Sequence, residues 1–262
     1  RDEDENKPYS SKKLRACYEQ AAARFGWARR SMAPRSMRDG RLLVGWGLAT
    51  ATYPANQSPS SARARLLTDG TALISLASQD LGTGTYTILT QIAAETLGMP
   101  IARVKVEIGN STFPDSPTSG GSQTAASAGN AVKAAAAKAR AELVKSAGRE
   151  QDSSASLDVP AIMRARGTPI DVSVDRFGGR NRDYSTHSHG VQIAEIKIDP
   201  DTLEIRVTRV VSRVASGSGR NYNTACSQVM GGIVMGIGAA LLEHAVYHRR
   251  HVRIVTSNRA NY

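Results

Sequence analysis

The sequence predicts an α+β fold, with mixed sheets and hairpins against which helices pack, and three observations carry that prediction. Two turn signals, Thr68-Asp69-Gly70-Thr71 and Asp199-Pro200-Asp201, each separate strand-like runs, the pattern of an antiparallel hairpin. Two segments rich in glycine and hydroxyls, within residues 78–127, run straight into long helical patterns. Between them ARVKVEIG alternates as a strand does, so strand, glycine loop and helix recur in that order.

In chain order, Ser10 or Ser11 is expected to cap a helix reaching Phe25, with Leu14, Cys17, Ala21 and Phe25 on its inward face. A basic loop with Pro34 and an Asp39-Gly40 turn follows. LLVGWGLATATY, residues 42–53, reads as a strand whose two glycines imply close approach by another backbone. ARARLL and ALISLAS form the first hairpin, because Asp-Gly readily takes the positive φ of a tight turn. A helix over 85–97 stops at Gly98, and Pro100 prevents its continuation. After ARVKVEIG and the second glycine loop comes an alanine-rich helix. GREQDSSAS then reads as a flexible linker and GTPIDVSVDRFGGRNRD as a turn-rich connection. GVQIAEIKIDPDTLEIRVTRVVSRV is the second hairpin, and a glycine-containing helix covers about 224–246. The expected organisation is a first α/β subdomain over 1–147 with both glycine loops, a connection over 148–182, and an incomplete hairpin-plus-helix subdomain over 183–262.

The glycine loops carry the chemistry. The first N–H groups of a helix lack intrahelical partners and sit at the positive end of its dipole, so a helix start binds anions. Gly82, Thr83, Gly84 and Thr85 form one such start; Gly120, Gly121, Ser122, Gln123 and Thr124 form the other. Glycines permit close backbone approach, and hydroxyls and the amide add donors. Two such loops about 40 residues apart imply one anionic ligand held between them.

Composition narrows the class. With 262 residues, 40% of them hydrophobic, the chain is long enough for a real core. Its net charge of +11 and pI of about 10.0 permit an anionic partner. Scattered arginines, 5% aromatics and the lack of any nucleic-acid signature argue against nucleic acid. Cys17 and Cys226 form no ligand spacing and read as buried free thiols. The apolar run at 229–242 is too short for a membrane span and reads as a buried helix. The charged opening, without initiator methionine or signal-like apolar core, reads as part of a longer chain. His187 and His189 lack a completing metal ligand nearby, and His244, His248 and His251 share a helical spacing but read as a solvated basic end. Neither Glu95 nor Glu107 is placed as a general base, and no hydrolase nucleophile motif occurs.

QDLGTGTYTILTQIAAETLG followed by SGGSQTAAS closely resembles the molybdopterin-binding large subunit of the xanthine dehydrogenase and aldehyde oxidase family, particularly its bacterial aldehyde-oxidising members. The likeness extends collinearly through SSKKLRACYEQAAARFGWARR, RDGRLLVGWGLATATYP, YSTHSHGVQIAEIKIDPDTLEIRVTRVV and SQVMGGIVMGIGAALLE. It implies the fold of a molybdopterin-binding domain with two subdomains, and places the cofactor's phosphate and pterin edge on Gly82, Thr83, Gly84 and Thr85 and on Gly120, Gly121, Ser122, Gln123 and Thr124. It further implies a molybdenum cofactor, with the cytosine dinucleotide as one form, and an iron–sulfur and an FAD partner subunit. Aldehydes or N-heterocycles would be the substrates. The implied compartment is the cytoplasm, or the periplasm through export with a partner.

Departures from the family pattern also carry expectations. Ala215-Ser216-Gly217 and Asn221-Tyr222 stand where Asp-x-Gly and Asn-Pro are usual, so that loop is expected to change shape. His189 replaces a phenylalanine and Asn261 an aspartate. The family's general base, a glutamate in Gly-x-Gly-Glu, has no counterpart before Tyr262, so no catalytic residue is assigned and the isolated chain is expected to be inactive. The rival reading is a binding or scaffold module without chemistry, for an anionic ligand such as a nucleotide or nucleic acid.

Overall fold

The computed structural model describes residues 1–4, 6–149, 157–179 and 183–256. In chain order its elements are α1 (Leu14–Phe25), β1 (Arg38–Asp39), β2 (Leu42–Pro54), β3 (Ser60–Leu66), β4 (Ala72–Ser75), α2 (Thr85–Leu97), β5 (Val104–Glu107), α3 (Thr124–Ser146), α4 (Val159–Arg166), β6 (Ile170–Phe177), β7 (His187–Ile198), β8 (Ile205–Ala215), α5 (Tyr222–Leu241), β9 (Tyr247–His248) and β10 (Arg253–Ile254). This is the α+β class read from the sequence.

The chain divides into two units, Arg1–Ser11 with Tyr53–His187, and Lys12–Thr52 with Ser188–Tyr262. The expected division at 147 and 182 is therefore corrected: each unit is built from two separate stretches. Residues 150–156, the centre of the expected linker, lie outside the described residues, as does Asn261. Residues 157–179 of that connection hold one helix and one strand. Asp158 caps α4 by accepting from the Ala161 N–H at 3.0 Å. β6 pairs antiparallel with β3, Val172 opposite Ala64. Its alternation of Ile170, Val172 and Val174 with Asp171, Ser173 and Asp175 is a half-buried strand pattern that the flanking glycines disguised.

In the first unit the sheet order is β5-β4-β3-β6. β3 and β4 are antiparallel around the expected Asp-Gly turn, where Leu67 N–H donates to Thr71 O at 2.8 Å and Gly70 has φ +80°. β4 and β5 are parallel, as a connection through α2 requires. α3 packs between this sheet and α2. Its inward positions Ala128, Ala131, Ala135, Ala136 and Ala139 are fully buried or nearly so, because only small side chains let it lie close on both sides. At Gly129 a Cβ would come within 3.0 Å of Ile92 Cδ1 on α2.

In the second unit the order is β1-β2-β7-β8, with β7 and β8 antiparallel about the expected Asp199-Pro200-Asp201 turn. α1 buries Cys17, Ala21 and Phe25 against Val191 and Ile193. Its start is Lys13 without a side-chain cap, so neither Ser10 nor Ser11 caps it. Trp46 Nε1 donates to Glu195 Oε2 at 2.8 Å, Arg209 Nη2 donates to the same oxygen at 3.0 Å, and the Arg209 guanidinium lies 4.0 Å from the Phe25 ring centroid. At Gly45 the close neighbour is a side chain, Ile196 at 3.0 Å, rather than a backbone, while Gly47 faces open space.

α5 differs most from expectation. Asn221 caps it, accepting from Thr224 N–H at 3.0 Å, so the helix begins at Tyr222, seven residues before the apolar run read from the sequence. It is long and apolar enough to cross a membrane by length and composition, and only Gly238 is buried. Met230, Val234 and Met235 are 59%, 65% and 67% exposed, and Cys226 is part-exposed, which corrects the buried-helix and buried-thiol readings; Cys17 is buried. The helix also ends before the histidines: His248 lies in β9, with the His251 ring 4.6 Å away.

Two outcomes test this packing. Ala136→Leu should destabilise the chain by about 1–3 kcal/mol in urea unfolding, since α3 has no room for three added carbons. For Glu195, burial raises the carboxyl, but hydrogen bonds from Thr208 and Trp46, with the charge and hydrogen bond of Arg209, outweigh it and hold the group below its ordinary value. A depressed folded value makes this contribution fully present above the unfolded pKa of about 4.3, and it is lost as pH falls through the lower folded value. Unfolding curves of Glu195→Gln should thus lie below the parent at neutral pH and converge on it in acid.

Candidate functional site

Both glycine loops belong to the first unit, and the structure brings them together. Ser119 N–H donates to Gln79 Oε1 at 3.3 Å, and Ser119 Oγ–H to Gln79 O at 3.4 Å. Behind them α2 and α3 pack with Gly129 beside Ile92 and with Arg140 Nη1 donating to Leu97 O at 2.6 Å, so the helices run in the same direction and their starts lie at the same end.

The loops are not equivalent. At the first, the Asp80 carboxylate accepts from the N–H groups of Gly82 at 2.9 Å, Gly84 at 3.3 Å and Tyr86 at 3.3 Å. The donors expected to meet an external anion thus already have an internal one. Gly82 and Gly84 have φ +88° and +82°, which lets the chain curl around Asp80. Thr85 is buried with its hydroxyl 3.3 Å from that of Thr83. What this loop offers is its tip: Leu81 is 69% exposed, and a Cβ at Gly82 would meet nothing within 4 Å.

At the second loop no side chain caps the start of α3. Gly121 and Ser122 take φ +60° and +59°, turning the backbone into the helix. Gln123 is not free to hold a ligand as expected: its Oε1 accepts from Ser58 Oγ–H at 2.8 Å and its Nε2 donates to Thr118 O at 3.0 Å. Asn56 Nδ2 donates to Gly121 O at 2.9 Å, and Ser58 N–H donates to the buried Ser127 Oγ at 3.0 Å. The amides of this region hold the loop open rather than fill it.

A cavity of about 760 Å³ opens beside this start. It is lined by Gly120, Gly121 and Gln123, by Asn56, Gln57 and Ser58, and by Asp2, Asp4 and His187 among others. None of the described lining residues is lysine or arginine, so the chain's positive charge is spent elsewhere. The uncapped α3 start fits an anionic group held by backbone N–H donors, and the polar walls fit an attached heterocycle. Of the predicted site residues, Gly120, Gly121 and Gln123 line the cavity; Gly82, Thr83, Gly84, Thr85, Ser122 and Thr124 do not. Asp80, Asn56 and Ser58 escaped the sequence reading, and His187 figures there only as half of a metal pair. Asp80 alone left a signal, an acidic residue two positions ahead of a glycine turn.

The first unit is thus an α+β layer with an open helix start beside a polar cleft. The chain belongs to the molybdopterin cofactor-binding domain family, whose profile matches residues 20–262. It is 33% identical over 270 residues to the aldehyde oxidoreductase molybdenum-binding subunit PaoC of Escherichia coli, covering 99% of this chain and 37% of that protein. It is 26% identical over 278 residues to the putative xanthine dehydrogenase molybdenum-binding subunit XdhA of the same organism, covering 95% and 37%. Among solved structures it shares its fold with the reconstituted CO dehydrogenase from Oligotropha carboxidovorans, at a TM-score of 0.80 and 19% identity, over 97% of this chain and 37% of that one. The chain spans about 37% of the length of these relatives.

Removing the internal cap tests the asymmetry of the loops. Asp80→Ala leaves three N–H groups without an acceptor and should cost about 1–2 kcal/mol in thermal or urea unfolding.

Proposed function

We propose that this chain forms the phosphate-binding part of the cofactor site in a molybdenum hydroxylase that oxidises aldehydes or N-heterocycles. The observation that carries the reading is the uncapped α3 start opening on a cofactor-sized polar cavity, in a chain of the molybdopterin-binding family. The first-turn N–H groups of α3 would hold the anionic group, Gly120 and Gly121 leave it space, and Asn56, Ser58 and Gln123 keep the loop in shape. The exposed tip at Gly82 and Thr83 would meet the pterin edge. When bound, the cofactor supplies the metal's oxidation–reduction chemistry, while this chain binds and orients it. The cavity has room for a dinucleotide extension, of which the cytosine form is one. An iron–sulfur and an FAD subunit would complete the electron path. We place the protein in the cytoplasm, where the free thiols of Cys17 and Cys226 stay reduced.

Gly120→Val separates binding from folding. A Cβ at Gly120 meets only Thr118 Cγ2, at 3.7 Å, and the residue is not in the left-handed region. The variant should melt with the parent yet retain several-fold less molybdenum and pterin after gel filtration. Equal retention would remove the α3 start from the site. The 262-residue chain, loaded with cofactor, should show no aldehyde turnover, because it carries no Gly-x-Gly-Glu; measurable turnover would overturn that assignment of the base.

A further inference from the structure

The basic loop between α1 and β1, in the second unit, concentrates charge of one sign. From Gln20 to Arg38 the chain carries five arginines, no lysine and no carboxylate, and the carboxylate that follows, Asp39, is paired with Lys197. The loop is fastened to β2 at both feet. Arg30 Nε donates to Trp46 O at 3.3 Å, with its guanidinium 5.1 Å from the Trp27 ring centroid, and Met37 O accepts from Val44 N–H at 2.9 Å. Between the feet, Ser36 Oγ lies 2.6 Å from Ser31 Oγ and 2.7 Å from Ala33 O. These contacts hold the loop closed, with Arg29 and Arg30 at one foot and Arg35 and Arg38 near the other.

Arg30 is spent on that fastening, but the other arginines of the loop are not. Arg29, Arg35 and Arg38 are exposed, and their side chains make no hydrogen bond or ion pair among the described residues. Met32, between them in the chain, is 79% exposed. Arg35 has φ +61°, a left-handed conformation that glycine adopts at least cost. The fold alone would be better served by glycine there, and no partner within the chain offsets the strain of the arginine. What the side chain does is therefore directed outward.

We propose that this loop is a docking surface for the acidic face of a partner protein, whose carboxylates pair with Arg29, Arg35 and Arg38 around an apolar contact made by Met32. A guanidinium grips a carboxylate through two parallel N–H donors, which gives such a contact direction as well as charge. Protein interfaces are enriched in arginine and methionine and depleted in lysine, and the loop has that composition. An anionic lipid surface would be served equally by lysine and would be entered by several large apolar side chains, whereas Met32 is the one such residue that the loop exposes. Because the loop is already closed by its own hydrogen bonds, little order is lost on docking. The proposal is independent of the cofactor reading, which concerns the first unit.

The test is fluorescence anisotropy of the full 262-residue chain with a labelled peptide of glutamates interspersed with leucine. Arg29→Gln, Arg35→Gln and Arg38→Gln together should weaken binding about tenfold. Lys133→Gln, Arg164→Gln and Arg249→Gln together remove the same charge from exposed positions outside the loop and should weaken it far less. Arg35→Gly should melt no lower than the parent, because its φ suits glycine, and still lose affinity several-fold, which keeps the test open if the first triple variant fails to fold. Vesicles of phosphatidylglycerol serve as the competing surface. Absence of peptide binding, equal loss in the two triple variants, parental affinity in Arg35→Gly, or loop-dependent binding to the vesicles without binding to the peptide overturns the proposal.

Discussion

The burial of α3 on two sides is the constraint on which the first unit depends. A helix pressed between a sheet and another helix approaches both closely only where its inward side chains are small. Ala131, Ala135, Ala136 and Ala139 meet that demand, and Gly129 meets it toward Ile92 of α2. Such a helix is held by area of contact rather than by any single large residue. Its axis is thereby fixed, and with it the place where its first N–H groups emerge.

That fixed end explains why two similar glycine loops have different roles. Both end in a helix start, and both would carry the same partial charge in isolation. Asp80 neutralises one of them from within the loop. At the other, the nearby polar side chains are turned to other tasks: Gln123 joins Ser58 to Thr118, and Asn56 holds the Gly121 carbonyl. The result is one self-contained loop that projects a tip and one open loop beside a cavity. Electrostatics of this kind suits a ligand with a localised negative group, because backbone donors fix its position without the mobile charge of a lysine or arginine.

The second unit is organised around a different interaction, the Glu195 carboxylate that joins Trp46 to Arg209. Arg209 also covers Phe25 and donates to its carbonyl at 3.1 Å, so a single guanidinium ties the end of α1 to the sheet. α5 takes no part in this core. Its exposed methionines and valines, with open space at Gly231, Gly232 and Gly236, contrast with the tightly filled surroundings of α3.

Local chemistry determined much of this protein directly from the sequence. The Asp-Gly turn, the helix from Thr85 to Gly98, the start of α3 and the 187–215 hairpin depend on φ preferences, caps and side-chain period, all of which act over a few residues. The family was likewise legible, because its motifs are contiguous. Tertiary structure decided the rest. Whether a helix start is open depends on where a side chain such as Asp80 points, and whether an apolar helix such as α5 is covered depends on what packs against it; neither follows from periodicity. The same holds for the contact between Asp2 and Ser185, which stand 183 positions apart. No local pattern links such residues, and only folding brings the chain's opening segment alongside the start of β7.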